Sequence, residues 1–228
     1  MAASERVRWG VIGAGDVCER KSGPPLYQIP TSELVLVHRR NRDAGEDFVR
    51  RHAGRYVESV EALVSSPDID AVYVASPHAL HAEHALAALR AGKHVLVEKP
   101  MALSAGECSA MIKAAGDKAL SLAVAYYRRG YPSIRRVRQL LADGVIGAVT
   151  SMSINGEFPT SHRLDLVHFL LGDIEAIRTV PGGTEGYTFE RMAGRIQLRT
   201  ASAGAEVTMS DTWTETGMPE ALVMRGEL

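Results

Sequence analysis

Only two cysteines occur in 228 residues, Cys18 and Cys108. That is too few for a disulfide framework and fits a reducing compartment. No apolar run approaches the roughly 20 residues that a membrane span requires. The opening Met-Ala-Ala-Ser-Glu-Arg also lacks the apolar stretch of a signal peptide. Basic charge is not in excess: 26 Lys and Arg stand against 27 Asp and Glu, a net charge of −1. Nothing therefore neutralises a phosphate backbone, and nucleic acid is not an expected partner. There is no internal repeat and no low-complexity tract. The expectation is a cytoplasmic globular protein with no membrane partner.

With 46% hydrophobic and 23% charged residues, the chain has an ordinary globular composition. Its length corresponds to between one and two domains. In the first half, short runs rich in Val, Ile and Leu read as strands: 7–12, 33–37, 71–74, 94–97 and 120–125. Without polar alternation, such runs suit a parallel sheet covered on both faces. Helical patterns at 44–52, 59–65, 81–91 and 105–115 lie between them, with Gly92 and Gly116 where C-terminal caps belong. Alternation of this kind predicts βαβ units in a Rossmann-type, doubly wound α/β fold. After Tyr126 the pattern changes to a basic helix at 131–142, a strand at 148–154, an apolar helix at 163–171 and further strand-like runs to Val223. The expected domains are 1–127, a dinucleotide-binding unit, and 128–228, a smaller α+β unit with a mainly antiparallel sheet.

The first strand runs into Gly13-Ala14-Gly15-Asp16-Val17-Cys18. Two glycines one residue apart allow a sharp turn and leave the backbone open to a pyrophosphate. A helix starting there would aim its first N–H groups at that anion. The third glycine of the dinucleotide fingerprint is missing, with Cys18 in its place. An acceptor for the ribose 2′-OH, usually acidic and some 20 residues on, is missing as well. The second strand instead leads into Val37-His38-Arg39-Arg40-Asn41-Arg42, with no carboxylate before Asp43. Guanidinium groups fit phosphate oxygens, so Arg39 and Arg40 predict NADP, with NAD a possible substitute. A tight turn and a solvated basic loop are the plain alternatives.

Charged residues also end the fifth strand, in His94-Val95-Leu96-Val97-Glu98-Lys99-Pro100. Ligands of open α/β sheets collect at carboxyl ends of strands, and Pro100 keeps Lys99 out of the helical region. Ser76-Pro77-His78-Ala79-Leu80-His81 occupies the matching tip of the fourth strand. The histidines 78, 81 and 84 could suggest a metal, but no Cys or suitably placed carboxylate completes a set, and no metal is expected. Met101, Met111 and Met152 read as core, and the arginines from Arg128 to Arg138 as a solvated face.

Four stretches together resemble the glucose–fructose oxidoreductase and inositol dehydrogenase (Gfo/Idh/MocA) family. They are Trp9 to Val17, Ala75 to His81, Val97 to Leu103 and Gly144 to Gly147. The resemblance implies an NAD(P)-dependent dehydrogenase moving a hydride between nicotinamide and a carbinol carbon of a sugar, cyclitol or similar polyol. It implies cofactor contacts at Gly13, Ala14, Gly15, Asp16, Val17, Arg39, Arg40, Ser76, Pro77, His81, Glu98 and Lys99. His162, in Ser161-His162-Arg163-Leu164-Asp165, aligns with the family's acid–base histidine, and Asp165 would hold the imidazole or a substrate hydroxyl. Histidine titrates in the useful range while lysine is a poor base at neutral pH. His162 is therefore the expected acid/base, with Lys99 polarising the substrate oxygen.

The chain departs from the family's pattern at Phe158, which stands where the family has Asp, and in the short span from Gly147 to His162. The second domain is expected to be truncated, with apolar sheet edges that favour a homo-oligomer. A non-catalytic NADP-binding sensor or partner subunit is the alternative function.

Overall fold

The structure is a computed structural model and describes residues 6–155, 160–179, 195–200, 205–210 and 221–228. Contacts divide the chain into two units, Met1–Ala125 and Tyr126–Leu228.

The first unit is built on six strands: β1 (Val7–Ile12), β2 (Ser32–His38), β3 (Arg55–Tyr56), β4 (Ala71–Val74), β5 (His94–Val97) and β6 (Leu122–Val124). All neighbours pair parallel, in the order β3-β2-β1-β4-β5-β6. The order grows outward in opposite directions from β1 and β4, which puts the topological switch point between them. Helices α1 (Pro24–Gln28), α2 (Arg42–Arg51), α3 (Val60–Val64), α4 (His81–Arg90) and α5 (Ala105–Gly116) connect the strands.

Successive strand residues point to opposite faces. Val72 and Val74 pack with Leu63, Leu89 and Met111 on one face, and Tyr73 with Phe48, Leu26 and Cys18 on the other. That two-sided burial explains the unbroken apolar runs. Local chemistry sets the helix starts: Asn41 accepts from Ala44 N–H, Ser59 from Ala62 N–H, and Ser104 with Glu107 forms a capping box on α5.

The helix expected after the glycine loop begins at Asp16, widens into a π-helical turn over Cys18–Ser22, and is followed by the short α1. The turn closes tightly because Gly23 lies over Cys18, where a Cβ would stand 1.9 Å from the Cys18 carbonyl oxygen. The left-handed residue after α5 is Ala119, φ 53°, while Gly116 belongs to the helix itself.

The π-turn is tethered to the end of α2 through Glu19, which takes hydrogen bonds from Arg51 and lies 2.6 Å from His52 Nε2. These bonds, Arg51's first, pull the Glu19 carboxyl down to about 2. A depressed carboxylate stabilises the fold above its ordinary range and loses that contribution as pH falls toward the depressed value. Because the pair is partly exposed, Glu19→Gln is expected to cost about 1 kcal/mol at pH 7, or roughly 2–4 °C of thermal midpoint. The gap between variant and parent should shrink as pH drops from about 5 toward 2. A constant gap over that range refutes the tether's ionic character.

The second unit contains α6 (Pro132–Ala142), β7 (Val149–Asn155), α7 (Thr160–Leu171), β8 (Ile174–Thr179), β9 (Arg195–Thr200), β10 (Glu206–Ser210) and β11 (Ala221–Gly226). Its strands form one sheet in the order β11-β7-β10-β9-β8, in which β7 and β10 pair parallel and the other pairs antiparallel. Val167 and Leu171 of α7 pack on Met152, Ile154, Val207 and Met209. The fold is thus α/β, a Rossmann-type sheet followed by a smaller, mainly antiparallel one. Phe158 lies outside the described residues. Among those residues, no helix is long and apolar enough to cross a membrane.

Candidate functional site

At the switch point, β1 turns through Gly13-Ala14-Gly15. Gly13 takes φ 92°, and a Cβ on it would stand 2.6 Å from Ser76 N and 2.7 Å from the Ala75 carbonyl carbon. Only glycine lets the loop lie this close to the tip of β4. Gly15 serves a different purpose: a Cβ there would meet nothing within 4 Å. It borders a pocket of about 260 Å³ whose other walls are Ile12, Gly13, His38, Arg39, Arg40, Asn41, Ser76, Pro77, Leu80 and His84. A side-chain-free backbone, apolar walls at Ile12 and Leu80, and cations at the rim suit a phosphate-bearing adenosine.

The pocket residues are fixed from behind. Arg39 Nη1 donates to the Ala14 carbonyl at 2.9 Å. Arg42 is committed elsewhere, in ion pairs with Glu46 and Glu58. His84 Nδ1 stands 2.9 Å from Ser76 Oγ, and burial depresses the His84 pKa. Of the other expected cofactor residues, Ala14 is buried, whereas Asp16 and Val17 face outward. None of these three lines the pocket.

His81, expected at the cofactor, is the first residue of α4. It is fully buried, with Nδ1 2.7 Å from the Pro100 carbonyl and Nε2 2.8 Å from the Ser76 carbonyl. The ring joins the tip of β4 to the segment after β5 and so supports Lys99 from within.

Glu98 and Lys99 follow β5, both half-buried, and the Lys99–Pro100 peptide bond is cis. Three donors immobilise the Glu98 carboxylate. Tyr73 Oη donates to Oε1 at 2.7 Å, Ser22 Oγ to the same oxygen at 2.8 Å, and Lys99 N–H to Oε2 at 3.1 Å. Burial, and then the charge of Glu98, push the Tyr73 phenol far above its ordinary range, so it remains a donor. Sequence reasoning missed Ser22 and Tyr73. A lone phenol in an otherwise aliphatic strand was the available signal for Tyr73, since a buried hydroxyl needs a polar partner. Cys18, buried and pushed up to about 12 by that burial, is inert as a thiol.

In the second unit, α7 carries His162 and Asp165 on one face. His162 is only 4% exposed, with the rings of Tyr126 and Tyr127 edge-on at 5.4 and 5.3 Å. Asp165, expected to hold the imidazole or a substrate hydroxyl, is itself engaged. Both its oxygens are held by Arg129, Nε 2.8 Å from Oδ2 and Nη2 2.5 Å from Oδ1, so it clasps the 127–130 turn to α7. In the arginine run Arg135, Arg136 and Arg138 are exposed, and Arg138 lies 4.2 Å over the Phe169 ring. Among the described residues, no group of three or more His, Cys, Asp or Glu could hold a metal.

A glycine loop at the switch point of a parallel sheet, opening on a cation-rimmed pocket, defines a dinucleotide-binding protein of the Rossmann class. Residues 7–126 match the oxidoreductase family with an NAD-binding Rossmann fold. This is more than half of the chain, which belongs to that family, Gfo/Idh/MocA. Oxidoreductase P35 of Formosa agariphila is 41% identical over 150 residues, covering 65% of this chain and 47% of the relative. The dTDP-3,4-didehydro-2,6-dideoxy-alpha-D-glucose 3-reductase of Actinomadura kijaniata is 35% identical over 165 residues, covering 72% and 50%. The chain spans about half the length of the curated relatives it matches. Among solved structures, a 3-ketoreductase from Actinomadura kijaniata, in complex with TDP-benzene and NADP, is 27% identical with a TM-score of 0.74. That match covers 98% of this chain and 74% of the other. The WlbA dehydrogenase of Bordetella pertussis, in complex with NADH and UDP-GlcNAcA, shares the fold at 21% identity and a TM-score of 0.83, over 100% and 73% of the two chains.

Proposed function

We propose that this chain is the dinucleotide-binding and proton-handling part of an NADP-preferring oxidoreductase acting on a carbinol carbon of a sugar, cyclitol or similar polyol. One observation carries the reading: the open Gly15 backbone and the fixed Glu98–Lys99 pair occupy carboxyl ends of strands in the same parallel sheet. The dinucleotide, when bound, supplies the hydride chemistry. The protein's own groups do the rest. Gly13 and Gly15 keep side chains away from the pyrophosphate, and Arg39 and Arg40 bind the 2′-phosphate at the pocket rim. Ser76 and Pro77 form the opposite wall. Lys99 Nζ holds the substrate oxygen and exchanges its proton, while Glu98 is fixed beside it by its three donors. Lys99 takes precedence over the expected His162, because His162 is covered by two tyrosine rings.

Two measurements test this. NADPH fluorescence should change on mixing with the protein, and a panel of ketoses and polyols should show NADP(H)-dependent turnover. No fluorescence change with either NADPH or NADH overturns the reading. Binding without turnover selects the non-catalytic binder, a second reading favoured by the covered His162 and by the engagement of Asp165 with Arg129. For cofactor choice, Arg39→Ala is expected to reduce the preference for NADPH over NADH about tenfold to a hundredfold, the worth of one hydrogen bond between charged groups. An unchanged affinity ratio removes the assignment.

A further inference from the structure

Ser22 lies in the π-helical turn that follows the glycine loop, and its hydroxyl reaches across to Glu98 at the tip of β5. The two residues are 76 apart in sequence, yet they share a hydrogen bond of 2.8 Å. Tyr73, fully buried on β4, donates to the same carboxylate oxygen. Three separate segments therefore meet on one Glu98 oxygen: the π-turn, β4 and the β5 tip. The π-turn is itself continuous with the loop, since Glu19 N–H donates to the Gly15 carbonyl at 2.8 Å. A continuous path of bonds therefore leads from the loop through Ser22 to the carboxylate whose other oxygen accepts the Lys99 N–H. π-helical turns are rare and concentrate at functional sites. Here the wider turn brings a hydroxyl onto the carboxylate.

We infer that Ser22 and Tyr73 are positioning residues that couple dinucleotide binding at the Gly13–Gly15 loop to the placement of Glu98 and Lys99. The inference rests on the dinucleotide reading given above and adds a mechanism to it. A carboxylate held by one donor can swing, whereas two donors from different segments and a third on its other oxygen fix it in place. Ordering that bound dinucleotide would otherwise impose is then already present in the free protein, which raises affinity.

The test measures NADPH affinity by nicotinamide fluorescence on the full chain, together with the thermal midpoint. Ser22→Ala is expected to weaken NADPH binding about tenfold, a typical coupling between linked sites, with the midpoint within a few degrees of the parent. Ser22→Thr, which keeps the hydroxyl, restores most of the affinity. In a Glu98→Ala background the further loss from Ser22→Ala should fall below about twofold, because the path through the carboxylate is gone. Tyr73→Phe repeats the experiment from the other donor. An affinity unchanged by Ser22→Ala, or the same tenfold loss in the Glu98→Ala background, overturns the inference while leaving dinucleotide binding intact. A parent protein that binds neither NADPH nor NADH overturns the underlying reading as well.

Discussion

Replacing Lys99 with alanine is expected to lower turnover about 10²–10⁴-fold, the usual worth of one positioned acid–base group. NADPH should continue to bind, because the pocket walls at Gly13, Gly15, Arg39 and Ser76 do not include Lys99. Lys99→Arg separates charge from proton transfer. Arginine keeps the positive charge but does not release its proton in a protein, so turnover should stay low if Lys99 exchanges a proton and recover if it only supplies charge. The measurements are kcat and KM on any accepted polyol, beside a fluorescence titration with NADPH. Full turnover in Lys99→Ala would end the role assigned to this residue.

The parallel sheet was legible because its cause is local. Apolar runs such as Val72, Tyr73 and Val74 face both ways, and the glycines after β1 mark the ligand turn whatever lies elsewhere. The short β3, Arg55–Tyr56, carried no such signal, being two residues long and half polar. Partners distant in sequence were also invisible. Asp165 looked like a neighbour for His162 one helical turn away, but a guanidinium 36 residues earlier had a stronger claim on the carboxylate. A fork donating two charged hydrogen bonds outcompetes a single imidazole contact. For His81 the invisible partners are backbone carbonyls, one at each ring nitrogen inside the fold. Spacing therefore pointed to the candidate site, while tertiary pairing decided which side chains remained available to it.

The two loop glycines separate folding from binding. Gly13→Ala places a side chain at φ 92°, a backbone state costing a non-glycine residue roughly 1 kcal/mol or more. It also drives the Cβ to 2.6 Å from Ser76 N, where the neighbour is backbone and has little room to give. Overpacking of that kind adds about 1–3 kcal/mol, for a total of about 2–4 kcal/mol and a midpoint lowered by roughly 5–15 °C. Gly15→Ala faces open space and should leave stability within about 0.5 kcal/mol. Its methyl group instead projects where the pyrophosphate must approach the backbone, and NADPH affinity should fall about a hundredfold, or close to 2.7 kcal/mol. Thermal melts and NADPH titrations of both variants check the contrast. If Gly15→Ala binds NADPH as the parent does, the anion does not approach the loop at that residue, and the pocket beside it has another occupant.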